Sequence, residues 1–592
     1  MKNLFATRQA QFYALEQQHQ KTFNVWATLR LVFFGVSAMG LYFFYQEASQ
    51  SYFWLMFIFC IIIFVLIISK HQNIRILRDK NRFLATINAD EINQLEGRFT
   101  AKETGEGFDE TQHFYTKDLD IFGNYSIFKL LNRTHTHLGA SVLADWLKKP
   151  SEISAILARQ SAVEGLRSAI DFRQDLEAVA LLESAIVEPT DDLLRWVQEP
   201  DNQKLNKAFF KVVKYLPLLT CGLIVAWVLD YLPFAWASLL LLVHGIVLVQ
   251  FFKDISLALE KTRKAIKPLN AFTQLAKLID NQVFNDTLLK KHQANLTGAS
   301  LAIGQLGSIL TNISYRQNPY FYIFVALPSL WDLVYFSKLE NWKKQYRQQL
   351  PLWLETIAEV EAINSLAGFA FANPNFVKPI VNNDSITLKI RALGHPLIPE
   401  EKRICNDVNF GELGHTMILT GSNMSGKSTF QRTLSINIIL ALAGGVVCAK
   451  AFECGLVQVF TSMRSQDSLE ESTSSFYAEL KRLKQLIDLV GVKLPYPVFY
   501  CLDEILKGTN SKDRHNGAKA LVLQLQQQKA FGIVSTHDVE LGDELENEAF
   551  IQNYSFYSDV INGQLSFDYQ LRKGVCHSFN ASQLMQQIGI KM

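Results

Sequence analysis

Long apolar stretches interrupt a chain that elsewhere places a polar residue every few positions. Four of them stand out, at residues 29–45, 52–69, 215–229 and 233–252. A helix that crosses a bilayer needs about 20 apolar residues, and these stretches approach or reach that length, the third being the shortest. Helices of a soluble core usually keep a polar stripe, which these stretches lack. The pattern predicts four transmembrane helices arranged as two hairpins.

Basic residues cluster at the ends of the predicted hairpins, and neither connecting turn, QEASQS or DYLP, contains Lys or Arg. Positively charged flanks remain in the cytoplasm. We therefore expect a multi-pass protein of the cell (inner) membrane, with a cytoplasmic N-terminus, middle region and C-terminus. The flanking residues are Arg30, Lys70, Arg75, Arg78, Lys80 and Arg82 for the first pair, and Lys207, Lys211, Lys214, Lys253, Lys261, Arg263 and Lys264 for the second.

A further apolar patch covers residues 320–336 and is interrupted by Pro328 and Asp332. A crossing there would place the C-terminal region outside the cell. We expect this patch to be buried core of a soluble domain.

Between and after the hairpins, apolar residues recur at helical spacing, and from about residue 385 short β-rich runs alternate with glycine turns and helices. The expected fold is therefore multidomain, with transmembrane α-helical hairpins, a mostly α-helical core and a C-terminal α/β domain. The predicted segments are 1–28 (N-terminal cytoplasmic), 29–70 (hairpin), 71–210 (helical core), 211–253 (hairpin), 254–380 (helical) and 385–592 (α/β).

Composition narrows the function only slightly. The formal net charge is +2 and the isoelectric point is about 8.0, so no global field argues for nucleic acid. The seven cysteines form no C-x-x-C pair, which argues against a disulfide framework and a zinc site.

The sequence MILTGSNMSGKSTF places a β-type run before G-x-x-x-x-G-K-S and a helical pattern after it. In such a loop backbone N–H groups surround phosphates, Lys427 reaches the β and γ phosphates, and the Ser428 hydroxyl can bind Mg²⁺. We therefore expect ATP and Mg²⁺ as cofactors. The predicted ATP-binding residues are Gly421, Ser422, Asn423, Met424, Ser425, Gly426, Lys427, Ser428 and Thr429.

Two later apolar runs end in polar residues that complete this chemistry. PVFYCLDE ends in Asp503, which can hold Mg²⁺ with Ser428, and in Glu504, which can orient or deprotonate the attacking water. FGIVSTHD ends near His537, which can contact the γ-phosphate. Glu504 and His537 are the predicted catalytic residues of an ATPase.

In this order the motifs resemble the ATPase domain of the MutS family, within the ABC-type ATPases. The loop TGSNMSGKST resembles the family's T-G-P-N-M-G-G-K-S-T, and DEILKGT matches its D-E-[IL]-x-x-G-T motif. Residues 461–480 resemble the segment that ends in S-T-F and an acidic residue, with Ser474 and Ser475 in the S-T places. Residues 119–166 resemble the start of the helical MutS core.

The resemblance implies an ATPase that works as a homodimer. In the family the S-T-F segment is offered in trans to the γ-phosphate bound by a second subunit, so Ser474 and Ser475 would complete the partner's site. Two lever helices of the family core run to a clamp that closes on DNA. Here residues 215–252 fall about where that clamp would be, so the levers would end in the bilayer. The F-x-E at Phe410–Glu412 is expected to be a turn and not a base wedge.

Three functions remain open from the sequence. The first is a membrane-tethered MutS-like ATPase that acts on mismatched, branched or damaged DNA, as the family implies. The second is the same ATPase switch working on a membrane or protein partner without DNA, which the hairpin position favours. The third is an ABC-type transporter, which the absence of a charged intramembrane path disfavours; His244 is the titratable residue well inside a span.

Overall fold

A computed structural model describes residues 1–47, 50–99, 103–182, 190–202, 215–382, 386–422, 424–463, 475–561 and 564–576. Helices occupy the described chain up to Ala372, and strands alternate with helices after it. The expected mostly helical region followed by a C-terminal α/β region is therefore confirmed. The predicted site residues Asn423 and Ser474 lie outside the described residues.

The helices of the first region are α1 (Lys2–Glu47), α2 (Gln50–Leu95), α3 (Ile127–Leu131), α4 (His137–Lys148), α5 (Ile153–Arg167), α6 (Ile170–Leu182), α7 (Asp191–Gln198), α8 (Leu216–Val228), α9 (Ala235–Thr262), α10 (Ile266–Asp280), α11 (Thr287–Asn295), α12 (Ala299–Ser314), α13 (Pro319–Ser329), α14 (Trp331–Tyr346) and α15 (Gln349–Ala372). Helix α15 is buried along most of its length and packs against α4 and α5. It leads directly into the first strand of the α/β region.

Helices α1 and α2 form one long antiparallel hairpin. Each has 46 residues, which corresponds to about 70 Å. Their apolar halves lie at the turn, and their polar halves pack on the helical core, where Arg8 donates to Gln174 and to Asp171. The predicted boundaries at residues 28 and 70 therefore fall inside continuous helices, because no helix-breaking residue separates the apolar half from the polar half.

Among the described residues, three helices are long and apolar enough to cross a membrane: Lys2–Tyr45, Phe53–Leu95 and Ala235–Asp280. The first contains the predicted span 29–45, and the other two contain all but the first one or two residues of the predicted spans 52–69 and 233–252. The predicted span 215–229 falls on α8, which has only 13 residues. A fourth candidate exists if α13 and α14, which meet at an angle of 74°, are counted together.

The expectation that residues 320–336 are buried core was wrong for the first half. Tyr320 and Phe324 are 76% and 73% exposed, whereas Leu330, Leu333 and Phe336 are buried. The reason is the bend at Leu330, whose φ of 50° turns the chain between the two helices. Helix α14 packs into the core through its buried residues, and α13 leaves an apolar face uncovered.

The polar half of α2 is joined to the core by a buried ion pair. Arg133 donates from Nε to Glu91 Oε1 at 2.6 Å and from Nη2 to Glu91 Oε2 at 2.8 Å. The two side chains are only 4% and 8% exposed. This two-bond geometry fixes the orientation of α2 on the segment that precedes α4.

Glu91→Ala should destabilise the protein by about 3 to 5 kcal/mol, because it leaves the Arg133 guanidinium buried without its partner. Thermal unfolding in detergent measures the effect. Asp192→Ala, which breaks the exposed pair with Arg195, is the control and should change the melting temperature much less. Equal shifts for the two variants would contradict this role for the buried pair.

The α/β region contains two sheets. One has the order β1-β5-β2-β3, and the other has the order β10-β9-β4-β8-β7-β6. In the second sheet β9, β4, β8, β7 and β6 run parallel, and β10 is antiparallel to β9. The strands are β1 (Ile380–Asn382), β2 (Leu388–Leu393), β3 (Asn406–Phe410), β4 (Thr416–Gly421), β5 (Ala451–Gly455), β6 (Gln458–Ser462), β7 (Val498–Asp503), β8 (Phe531–Ser535), β9 (Ile551–Ile561) and β10 (Gln564–Lys573).

The helices of this region are α16 (Lys427–Ala443), α17 (Ser475–Gly491), α18 (Ser511–Gln527) and α19 (Val539–Glu544). Strand β4 is buried at every position, as are the first residues of β7 and all of β8. Continuous burial explains why these strands read as apolar runs. Phe410 is the buried last residue of β3, Gly411 has a φ of 123°, and the turn follows at Glu412, whose carbonyl oxygen accepts from the His415 amide.

Candidate functional site

The predicted site residues meet at the carboxyl ends of three neighbouring parallel strands. Strand β4 leads into the loop before α16, β7 ends at Asp503, and β8 ends at Ser535. Register pairs Leu419 with Ser535 and Asp503 with Ser535. Ligands of open α/β sheets bind at this edge.

The loop from Gly421 to Ser428 requires its two glycines. Gly421 has a φ of 147°, and a Cβ there would lie 2.6 Å from the Phe556 carbonyl oxygen. Gly426 has a φ of 106°, and a Cβ there would lie 3.0 Å from the ring of Tyr569. Met424, in the same loop, has a φ of 67° and is 84% exposed. A left-handed backbone of this kind turns N–H groups toward one concave side.

Lys427 is folded back over its own loop. Its ammonium donates to the carbonyl oxygens of Gly421 at 2.9 Å and Ser422 at 3.0 Å. Burial lowers the pKa of this lysine from its usual value, and the nearby carboxylates of Glu504 and Asp503 act in the opposite direction. A buried cation that bonds only to neutral carbonyls gains from an anionic partner.

Asp503 lies between two hydroxyl groups. Ser428 donates to Asp503 Oδ2 at 2.6 Å, and Ser535 donates to Asp503 Oδ1. Oxygen ligands of this type suit Mg²⁺, which usually takes one or two carboxylates together with phosphate and water. The donor set therefore fits the predicted magnesium site of Ser428 and Asp503. Ser535 was not among the predicted site residues, although it belongs to the S-T-H run.

Both carboxylate oxygens of Glu504 have a partner in the site. His537 Nε2 lies 2.8 Å from Glu504 Oε1, and Lys507 Nζ lies 2.7 Å from Glu504 Oε2. The hydrogen bond with His537 is the main cause that lowers the pKa of Glu504 to about 2, and the bond with Lys507 adds to it. The carboxylate is therefore ionised at every physiological pH. The two predicted catalytic residues are in direct contact.

A cavity of about 530 Å³ lies above the loop. Ser425 is fully buried in the loop, and its hydroxyl has no hydrogen-bond partner within the described parts of the chain. Thr429 is exposed at the first turn of α16 and lines the same cavity. An unpartnered hydroxyl, a buried ammonium and the glycine loop on one cavity fit the phosphates of a nucleotide.

The rest of this cavity is mostly apolar, although Lys402 and Asn406 also line it, and it was not predicted from the sequence. It is lined by Leu393, His395, Ile404, Phe430, Phe556 and Tyr569. Burial lowers the pKa of His395 to about 4, so this ring is neutral at pH 7. Tyr569 reaches the loop because β10 shifts register between Phe567 and Leu571, and Asn406 bonds to the Tyr569 carbonyl and the Leu571 amide. A lone tyrosine in a strand gives no signal of this in the sequence.

Helix α17 begins at Ser475 and lies beside the loop that follows Asp503. Glu479 accepts a hydrogen bond from the Leu506 amide, and Phe476 packs against Gly508. Burial raises the pKa of Glu479 from its usual value. Helix α17 therefore begins at the edge of the site in its own chain.

Comparison with known proteins gives two family matches. The model of MutS domain III matches residues 110–492, and that of MutS domain V matches residues 417–589. The first match alone covers more than half of the chain. The chain therefore belongs to the MutS family.

Curated relatives match over a smaller region. A DNA mismatch repair protein MutS from Flavobacterium psychrophilum is 29% identical over 254 residues, which are 41% of this chain and 29% of the relative. The protein of the same name from Cytophaga hutchinsonii is 32% identical over 235 residues, 38% of this chain and 27% of the relative. The protein of the same name from Chloroflexus aurantiacus is 29% identical over 248 residues, which are 40% of this chain and 25% of the relative. The chain thus matches less than a third of the length of these relatives.

Proposed function

We propose that the protein is a membrane-anchored MutS-like ATPase that binds ATP and Mg²⁺ between two copies of its C-terminal region and uses hydrolysis to drive a conformational switch. The observation that carries this proposal is the convergence of the glycine loop, the Ser428–Asp503 pair and the Glu504–His537 pair at one sheet edge. Family membership supports it, since the matched domain V contains all of these residues.

Each residue has a proposed role in this reaction. Lys427 and the loop amides hold the phosphates, and Ser428 and Asp503 hold Mg²⁺, which neutralises charge on the phosphate oxygens when bound. Glu504 orients the attacking water, and His537 contacts the γ-phosphate. Each carboxylate oxygen of Glu504 has one partner in this structure, His537 or Lys507, and its second lone pair can still accept a hydrogen bond from the attacking water.

Ser474 and Ser475 of one copy are proposed to complete the ATP site of the other copy. Helix α17 supports it, since its first turn lies beside the Asp503–Gly508 loop and its N-terminus is suited to an anion. A homodimer would then place the Ser475 end of one copy on the phosphate loop of the other. Closure on ATP and opening after hydrolysis would move the attached helices.

Membrane anchoring is proposed from the three long apolar helices and their basic flanks. In this arrangement the N-terminus, the helical core and the ATP site lie in the cytoplasm. The hairpin of α1 and α2 is fixed to the core by Arg8 and by the Arg133–Glu91 pair, so motion of the core would be transmitted to its apolar end. Inner-membrane localisation follows from the same proposal.

The name of the relatives, DNA mismatch repair protein, supports a mismatch-repair-like function in which the switch acts on DNA. A second candidate is action on a membrane or protein partner without DNA. It is favoured by α9, whose exposed apolar residues lie within the domain III match, where lever helices are expected.

The rate of ATP hydrolysis by the detergent-purified protein, with and without duplex or branched DNA, tests the proposal. We expect magnesium-dependent hydrolysis. If the switch acts on DNA, the DNA should change the rate and bind with an affinity that falls steeply with salt. A rate independent of DNA, with no binding at low salt, would favour the second candidate. Absence of hydrolysis under every condition would contradict both.

A further inference from the structure

Helix α13 belongs to the same apolar surface as α8 and α9. The fully buried His244 of α9 joins the three helices, since its Nε2 lies 3.1 Å from the Thr220 hydroxyl of α8 and its Nδ1 lies 3.0 Å from the Leu327 carbonyl oxygen of α13. Phe324 of α13 and Val249 of α9 are 73% and 74% exposed. The uncovered apolar face of α13 therefore continues that of the proposed membrane helix α9.

A groove lies where this apolar surface meets the basic end of α9. It has a volume of about 670 Å³. Phe252, Ser256 and Arg263 line it from one face of α9 and the turn after it, at spacings of four and seven residues. The rest of its polar lining consists of Glu260, Lys264, Arg316, Gln317 and Tyr322.

Arg316 is the unusual member of this groove. Its side chain is 10% exposed, its Nε lies 3.2 Å from Asp332 Oδ2, and its guanidinium lies 4.9 Å from the centre of the Phe252 ring. Its Nη1 is buried and has no hydrogen-bond partner in the described chain. Arg316 lines the groove, and the planar guanidinium of an arginine binds phosphate oxygens strongly.

The groove also lies at the level in the proposed membrane where lipid head groups are found. Phe252 ends the apolar stretch of α9, so Arg316, packed on its ring, lies at the edge of the proposed hydrocarbon layer. Arg263 follows eleven residues later, about 16 Å along the helix. A head group at this level would meet Arg316 first and then Arg263 and Lys264, while its acyl chains lie on the apolar faces of α9 and α13.

We propose that this groove binds the phosphate of an acidic phospholipid from the cytoplasmic leaflet. The inference rests on the membrane anchoring proposed above. The charge of the groove favours an anion, because its three basic side chains outnumber the two nearby carboxylates, Glu260 in the lining and Asp332 paired with Arg316. Continuity with the exposed apolar surface favours a lipid over a soluble phosphate.

The test titrates the protein in a neutral detergent with phosphatidylglycerol or phosphatidylcholine and counts bound lipids by native mass spectrometry. The wild type should retain one phosphatidylglycerol per chain in preference to phosphatidylcholine. Arg263→Gln/Lys264→Gln should weaken this binding by about tenfold or more, since both cations are exposed and lost without disturbing the core. The control, Lys253→Gln/Lys267→Gln, removes the same charge from exposed positions outside the groove and should bind like the wild type.

A third variant, Arg316→Gln/Asp332→Asn, removes the buried cation and its partner together and should also lose the preference for the acidic lipid. Equal losses in the groove and control pairs, or no lipid preference in the wild type, would overturn the site. Full competition by millimolar inorganic phosphate would overturn a lipid as the occupant. Alkaline extraction of membrane vesicles tests the anchoring separately. If the wild-type protein stays in the membrane but shows no lipid preference, only the lipid site is contradicted. If it is released, both the lipid site and the anchoring are contradicted.

Discussion

Glu504→Gln should reduce the rate of ATP hydrolysis by about 10²- to 10⁴-fold, the usual contribution of a positioned acid–base group. ATP binding should persist, because the amide keeps the size of the carboxylate and Glu504 is not among the groups that hold phosphate. The ATP-bound dimer should therefore accumulate. Single-turnover hydrolysis measures the rate, and the mass of the particle in ATP measures the dimer.

Glu546→Gln, at an exposed position beyond α19, is the matched control and should hydrolyse ATP at the wild-type rate. The pH dependence adds a second readout. Because the folded-state pKa of Glu504 is depressed to about 2, its ionised form is present from neutral pH down to well below pH 4. Its protonation should therefore cause no loss of rate between pH 8 and 5. Hydrolysis by the Glu504 variant at the wild-type rate would refute its role.

Lys427→Ala should weaken ATP binding by about 100-fold or more. A charge-assisted hydrogen bond to phosphate is worth about 1.5 to 3 kcal/mol, and this ammonium can donate more than one. Folding should be retained, because burial lowers the pKa of Lys427 and its charge costs stability in the absence of an anion. Titration with a fluorescent ATP analogue measures the binding.

Lys493→Ala removes an exposed lysine from the loop after α17 and is the control for Lys427→Ala. Its affinity should equal that of the wild type. An unchanged affinity for Lys427→Ala would show that the glycine loop does not hold phosphate, and the proposed ATPase would fail with it.

The sequence identified the candidate residues of the site, but it did not show how the fold brings them together. The glycine loop, Asp503, Glu504 and His537 were predicted from local motifs, each at the end of an apolar run. Their meeting depends on the strand order β4-β8-β7, which no local pattern contains. Ser535 holds Asp503 only because β8 lies between the other two strands, so its role became visible in the structure.

The ends of the helices were harder to predict than the presence of helices. The sequence of α1 changes from polar to apolar near residue 28, which suggested a boundary there, but the structure has one continuous helix from Lys2 to Glu47. Residues 320–336 were predicted to be buried soluble core from the interruptions at Pro328 and Asp332 and from the side of the membrane that a crossing would imply, whereas Tyr320 and Phe324 are exposed. The 74° bend between α13 and α14 lies at Leu330, whose φ of 50° is a backbone conformation that the hydrophobic pattern does not encode.

The proposed sharing of one ATP site by two chains can be tested by mixing two inactive variants. Lys427→Ala lacks a working phosphate loop but keeps its Ser474–Ser475 segment, and Ser474→Ala/Ser475→Ala keeps the loop but lacks the segment. Each variant alone should hydrolyse ATP slowly. If the segment acts across the dimer, equal mixing after subunit exchange should restore hydrolysis, because the mixed dimer contains one complete site. Activity in the serine variant alone, or no recovery in a mixed dimer shown to form, would contradict a site built from two chains.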